Sequence, residues 1–421
     1  MTSLYHRHSF AGTRPALPDQ DSSRTSSTSL LSIRRNANYT QAEEDVKIHH
    51  TRSFKYRTVS VDIDVGPCPW GQPYATYGRN GIVKGCLTFM KKCSSVAQVT
   101  VTLRGTVTVT LPEEVMIAGV DSKTIYSEQV VLFQAKLSGT SIQGGTSFPF
   151  TLSFPERLEN SEVPLPPSYS IFHPVTAEVE HALQIEVSRC GFHKHERRRI
   201  PVLYLPKSSP ETPIPCKMPM QSPGRELPSG IRRIDLAAVW PDDCLVPSDY
   251  KGLVVVQALL PTKCVFASGT AIPLALSIRC RDESSPDIVR HLSQDIDVSL
   301  VRRKALWLAG NRRIRTKDEI VANVEELRVH VAEKNNLYFS MELTAGCPGS
   351  EYSWGVPGHI MIQYSLRIII RPPAYAQLPT FKHFEPITLR TDTDQALARQ
   401  LVVSLPALGL TTLQPMSPLL E

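Results

Sequence analysis

The segment Val99-Thr-Val-Thr-Leu-Arg-Gly-Thr-Val-Thr-Val-Thr-Leu111 decides the fold class of this chain. Apolar residues occupy every odd position except Gly105, and polar residues occupy the even positions. A two-residue period of this length predicts an antiparallel strand that buries one face and exposes the other. The glycine marks a point where such a strand can bend or bulge.

Segments with strand character continue on both sides, separated by turn signals such as Gln143-Gly144-Gly145. They are Gln129–Ala135, Ser147–Ser153, Leu183–Ser188, Arg199–Leu205, Leu253–Leu260, Leu274–Cys280, Ile296–Val301, Leu327–Val331, Leu337–Leu343 and Ile360–Ile370. Short strands with irregular loops predict an all-β chain of two tandem immunoglobulin-like β-sandwiches. Asp318–Leu327 is open between a short helix and a strand, because it carries several β-branched residues.

The distribution of proline and serine predicts the domain limits. Residues 1–55 are rich in Ser and Arg and predict a disordered tail, with a mitochondrial transit peptide as the alternative. Residues 56–205 form the first sandwich, 206–230 a proline-rich linker and 231–375 the second sandwich. Residues 376–421 are predicted to be mostly disordered, apart from an amphipathic helical stretch at Thr393–Val402.

Composition excludes several classes of protein. The chain has 421 residues and a formal net charge of +6, which is too mild and too dispersed to indicate a nucleic-acid binder. No apolar run approaches the ~18 residues that a transmembrane helix needs. The cysteines are scattered, form no CxxC pair and follow no signal peptide. These features predict a soluble protein of the reducing cytoplasm.

A search for catalytic and metal-binding patterns gives little. The chain has no GxSxG, P-loop, GxGxxG or HExxH motif. The best metal candidate combines Cys190, His193 and His195, but it lacks a fourth ligand and is followed by Arg197, Arg198 and Arg199. This loop predicts a solvated hairpin, or a basic patch that meets acidic lipid or phosphate. We therefore expect no enzyme activity, no metal and no cofactor.

The motif Pro-Pro-x-Tyr occurs twice, as Pro166-Pro167-Ser168-Tyr169 and as Pro372-Pro373-Ala374-Tyr375. Two adjacent prolines favour a polyproline II backbone, which loses little entropy when it docks on the aromatic groove of a WW domain. The tyrosine adds a ring and a hydroxyl for a neighbouring pocket. The alternative for either motif is a turn that leads into or out of a strand.

Several segments together resemble the arrestin family, and in particular the fungal α-arrestin-like proteins. Those that carry the resemblance are Tyr77-Gly-Arg-Asn-Gly-Ile-Val-Lys-Gly85, Phe148-Pro-Phe-Thr-Leu-Ser-Phe-Pro155, Leu165-Pro-Pro-Ser-Tyr169, Arg199-Ile-Pro-Val-Leu-Tyr-Leu-Pro206 and Ile272-Pro-Leu-Ala-Leu-Ser-Ile278. The resemblance covers roughly residues 56 to 371 and is more specific in the first half.

The resemblance implies a non-enzymatic trafficking adaptor. Such proteins bind plasma-membrane transporters or receptors and recruit the WW domains of a HECT-class ubiquitin ligase, so that the cargo is ubiquitinated and internalised. They are cytoplasmic and are recruited peripherally to the plasma membrane or endosomes. Transferred to this chain, the ligase motif is Pro372, Pro373 and Tyr375. Pro166, Pro167 and Tyr169 coincide with a structural turn of the family and form the weaker candidate.

Two other interpretations stay open at this stage. One keeps the arrestin-like fold but has no ligase recruitment, as in a retromer-like sorting scaffold. The other is an enzyme with an unrecognised site on a β-sandwich, which would need converging titratable groups in a cleft.

Overall fold

The computed structural model describes residues 53–67, 74–111, 119–136, 140–171, 175–191, 195–211, 218, 227–240, 253–282, 286–308, 312–324, 326–333 and 335–393. The predicted N-terminal tail lies outside this set except for its last three residues, and so does the predicted helical stretch Thr393–Val402 except for Thr393. Strands dominate the described residues, so the predicted all-β class is confirmed.

Residues 53–204 form two sheets. The strands are β1 (Ser53–Arg57), β2 (Val61–Pro67), β3 (Thr76–Tyr77), β4 (Ile82–Phe89), β5 (Val96–Leu111), β6 (Gly119–Gln134), β7 (Ser147–Ser153), β8 (Tyr169–Ile171), β9 (Thr176–Arg189) and β10 (Glu196–Tyr204). One sheet has the order β1-β2-β4-β7, and the other has the order β3-β10-β9-β5-β6, with β8 beside β9.

Residues 231–390 also contain two sheets. The strands are β11 (Ile231–Asp235), β12 (Ala237–Val239), β13 (Val254–Pro261), β14 (Val265–Ala267), β15 (Ala271–Cys280), β16 (Ile296–Leu308), β17 (Arg312–Asn323), β18 (Arg328–Glu333), β19 (Asn336–Thr344), β20 (Trp354–Val356), β21 (Ile360–Ile370) and β22 (Thr380–Arg390), with helix α1 (Pro286–Leu292) before β16. The sheet orders are β11-β13-β15-β19-β18 and β12-β22-β21-β16-β17, with β14 beside β22 and β20 beside β21. In the described part of the chain, every strand pairs only with strands of its own half.

Strand β5 has the alternation that its sequence predicts. Val99, Val101, Leu103, Val107 and Val109 are fully buried, and the strand pairs with β6 on one side and β9 on the other. The predicted irregularity at Gly105 is present, since the pairing with β6 shifts register between Gly105 and Thr106. A Cβ at Gly105 would overlap the ring of Tyr126, so this position needs glycine because of a close side-chain approach.

The end of the second half differs from the prediction. Residues 376–421 were expected to be mostly disordered, but β22 fills Thr380–Arg390 and buries Phe381 and Leu389. Disorder was inferred from the prolines of this segment, because proline disfavours interior strands. Pro386 is tolerated because it lies between the stretches of β22 that pair with β12 and β14, where its missing N–H costs no ladder bond.

Three other segments also correct the sequence analysis. Residues 312–323 form β17, which settles the open Asp318–Leu327 segment largely in favour of a strand, and helix α1 was not predicted. The described start of the proline-rich linker packs against the fold: Lys207 is buried and its Nζ lies 3.3 Å from Asp392 Oδ1. The linker is therefore not a solvated connector along its whole length.

A buried histidine organises the first half. Tyr126 Oη lies 3.1 Å from His181 Nδ1, and His181 Nε2 lies 3.2 Å from the carbonyl oxygen of Pro166. Because a carbonyl only accepts, Nε2 carries the proton and Nδ1 accepts from the tyrosine. Burial lowers the pKa of His181 to about 3, which keeps the ring neutral.

We expect Gly105→Ala to lower the free energy of unfolding by about 1–3 kcal/mol, because the methyl group overpacks the site against Tyr126. Urea unfolding of the full chain measures this change. The exposed substitution Ser127→Ala on β6 is the control and should stay within about 0.5 kcal/mol of the parent. Equal stability of the two variants would contradict the close packing.

We expect His181 to make stability pH-dependent. Its pKa is lower in the folded than in the unfolded protein, so its neutral form contributes stability above about pH 6.5 that is lost as the pH falls. Between pH 6.5 and 5 the loss from this group is roughly 2 kcal/mol. Urea unfolding across this range should show a shallower pH dependence for His181→Gln than for the exposed control His195→Gln. Parallel profiles would contradict the assignment.

Candidate functional site

The first Pro-Pro-x-Tyr motif is part of the core. Pro166 and Pro167 are buried, and Tyr169 is only 5% exposed. Ser168 is held to Tyr204 by two bonds: its N–H donates to the Tyr204 carbonyl at 2.8 Å, and its Oγ accepts from the Tyr204 N–H at 2.9 Å. Burial raises the pKa of Tyr169 to about 12. A WW domain could reach this segment only if the surrounding structure opened.

Tyr169 connects the two halves of the chain. Its ring meets Trp354 of β20 edge to face, with ring centroids 4.9 Å apart. A second contact joins His359 Nε2 and Asp121 Oδ2 at 3.6 Å. The first motif therefore acts as a packing element between the halves.

The second motif lies on the surface. It belongs to the connection between β21 and β22, and Tyr375 is 72% exposed. Pro373 has φ −57° and ψ 144°, which is polyproline II geometry. Ala374–Ala376 then form a single 3-10 turn, in which the Ala376 N–H donates to the Pro373 carbonyl at 2.9 Å.

The base of this connection is anchored. The Arg371 N–H donates to the Asp295 carbonyl at 2.9 Å, and the Arg371 guanidinium donates to Asp297 Oδ2 at 3.1 Å. On the other side, the ring of His291 in α1 meets the ring of Tyr375 edge to face at 5.4 Å. The motif is therefore presented by fixed elements at both ends, and not at the start of a tail as the sequence analysis expected.

The arginines expected in a solvated hairpin loop lie instead at the start of β10, and two of them are neutralised by ion pairs. Arg197 donates to Glu186 Oε2 at 3.2 Å, and Arg199 donates to Glu180 Oε2 at 2.7 Å. Both glutamates lie on β9, whose register with β10 the sequence does not reveal. Of the metal candidates, His193 lies outside the described residues. Within the described ranges, no group of three or more His, Cys, Asp or Glu side chains is arranged to hold a metal ion.

A partly buried charge cluster near Tyr169 was not predicted. Glu319 of β17 accepts from Arg302 at 2.7 Å, from Lys304 at 3.0 Å and from Lys317 at 2.8 Å. Arg302 also reaches Glu351 at 3.1 Å. Burial by itself would raise the pKa of Glu319, but the hydrogen bonds from the three cations outweigh it and lower the pKa to about 2.

The sequence signal for this cluster is a pair of charged residues at positions i and i+2 in each strand, since such residues share one face of the strand. Arg302 and Lys304 share a face of β16, and Lys317 and Glu319 share a face of β17. Pairing of Arg302 with Glu319 and of Lys304 with Lys317 then brings all four together. Only the strand register shows that they meet.

A scan against known protein-family models found no match for this chain, and a search of curated proteins found none either. In the described part of the chain, no helix has the length and apolar character needed to cross a membrane.

We expect Glu319→Gln to destabilise the chain by about 1–3 kcal/mol, because three cations then converge on a neutral amide. Asp318→Asn is a matched control on the adjacent residue, where the carboxylate is 44% exposed and pairs with Arg303 at 2.7 Å. It should cost less than about 1 kcal/mol. Urea unfolding at pH 7 compares the two, and a larger loss for Asp318→Asn would contradict the role given to Glu319.

Proposed function

We propose that this chain is a non-enzymatic adaptor of the arrestin type. In this proposal it links membrane cargo, such as transporters or receptors, to a HECT-class ubiquitin ligase and so promotes endocytosis of the cargo. The two pairs of sheets would be tandem immunoglobulin-like arrestin domains. The division of the described strands into two halves, each with two sheets, supports this assignment.

One observation carries the proposal: Tyr375 is 72% exposed, and Pro373, two residues before it, has polyproline II backbone angles. A preformed conformation reduces the entropy lost when a peptide binds a WW groove. The exposed phenol and the face of Tyr375 away from His291 are the parts available to a partner. The buried first motif takes no part in ligase recruitment in this proposal.

Cargo binding and recruitment to the plasma membrane or endosomes complete the proposal. The arginines at the start of β10 contribute less to binding of an acidic membrane surface than the sequence predicts, because Arg197 and Arg199 already pair with glutamates.

The test is calorimetric titration of the full chain with a WW domain from a HECT-class ligase. We expect a Kd of about 1 μM, equivalent to about −8 kcal/mol. Tyr375→Ala should abolish binding because the ring and the hydroxyl are both lost. Lys382→Ala, at an exposed position of β22 outside the motif, is the control and should keep the affinity within a few-fold.

Two results would contradict the proposal. Binding that persists in Tyr375→Ala but is lost in Tyr169→Ala would assign recruitment to the first motif. No binding by the parent chain would remove ligase recruitment and would favour a sorting scaffold with the same fold.

A further inference from the structure

An apolar groove lies on the outer side of the sheet that contains β20, β21 and β22. Its volume is about 890 Å³, and its lining includes Trp354, Gly355, Met361, Phe384, Pro386 and Arg390. Phe384 is 53% exposed. It is unusual for so large an apolar side chain to stay exposed beside an apolar groove.

The strand pairing shapes one side of this groove, and Val163 and Pro164 of the first half also line it. β22 pairs with β21 only as far as Ile387, and its last three residues pair instead with β14. β20 takes the vacated place beside the start of β21. The separation of β20 and β22 opens a depression between them, while the Ser353 N–H bond to the Leu389 carbonyl at 3.0 Å holds its lower rim.

The chain leaves the described structure next to this groove. Arg390 lines the groove, and the described residues end at Thr393. Residues 394–421 include eight leucines, two valines and one methionine, but only Asp394, Arg399 and Glu421 as charged residues. Exposing the apolar side chains of such a segment to water is unfavourable.

We propose that the segment 394–421 occupies this groove within the same chain. Its apolar side chains, Leu397 and Leu401 among them, would cover Phe384 and Met361. Tethering at Thr393 gives the segment an effective concentration on the order of millimolar at the groove, which favours it over separate partners. Fully extended, the segment spans roughly 90 Å, so length does not limit the contact.

Photo-crosslinking of the full chain tests this proposal. The photoreactive residue p-benzoylphenylalanine replaces Phe384, which keeps the first ring in place, and crosslinked peptides are mapped by mass spectrometry. We expect adducts to residues 394–421 in protein of monomer mass. The same residue at Val329, which is 55% exposed on β18, is the control and should give few such adducts.

Further outcomes decide between occupants. Adducts in protein of dimer mass would overturn the proposal in favour of a second copy. Adducts only to residues 53–393, or none above the Val329 control, would also overturn it. The double substitution Leu397→Asp and Leu401→Asp should remove most of the tail adduct, and an unchanged yield would contradict a hydrophobic contact.

Discussion

The hydrogen bond between His181 and the carbonyl of Pro166 fixes one of the segments through which the two halves contact each other. It ties β9 to the turn before β8, and β8 then directs Tyr169 against Trp354 of the second half. The bond requires a neutral imidazole, which burial ensures. A contact deep in one sheet thus determines which aromatic ring is offered to the other half.

The two Pro-Pro-x-Tyr sequences show that a short motif acquires its role from its place in the fold. Leu165 precedes the first motif and is buried, so the prolines that follow enter the core and the tyrosine packs between the halves. The second motif follows β21 and turns outward, because Arg371 is bound to Asp295 and Asp297 at the strand end. The same chemistry serves packing in one place and, in the proposed function, recognition in the other.

Much of the fold could be predicted from local patterns. The bounds of β7 and β21 agree with the sequence segments, and the Gly105 irregularity follows from a glycine in a long alternating strand. β22 could not be predicted in this way. Pro386 is acceptable because it lies between the stretches that pair with β12 and with β14, and both of these strands are distant in sequence.

The candidate site was predictable only in part. The second motif is evident from four letters, but its position between two strands depends on β22. The charge cluster around Glu319 depends on the register of β16 against β17, and a shift by one residue would turn its side chains to the opposite face. Register arises from long-range packing, which alternation alone does not encode.

We infer that the Pro-Pro-x-Tyr motif at residues 372–375 is available to a partner, whereas the motif at residues 166–169 is buried in the core. Hydrogen–deuterium exchange of the full chain, with and without a saturating WW domain, tests this claim most directly. We expect new protection confined to residues 371–379, with residues 165–171 exchanging slowly in both states. New protection at residues 165–171, or no protection at 371–379, would contradict it.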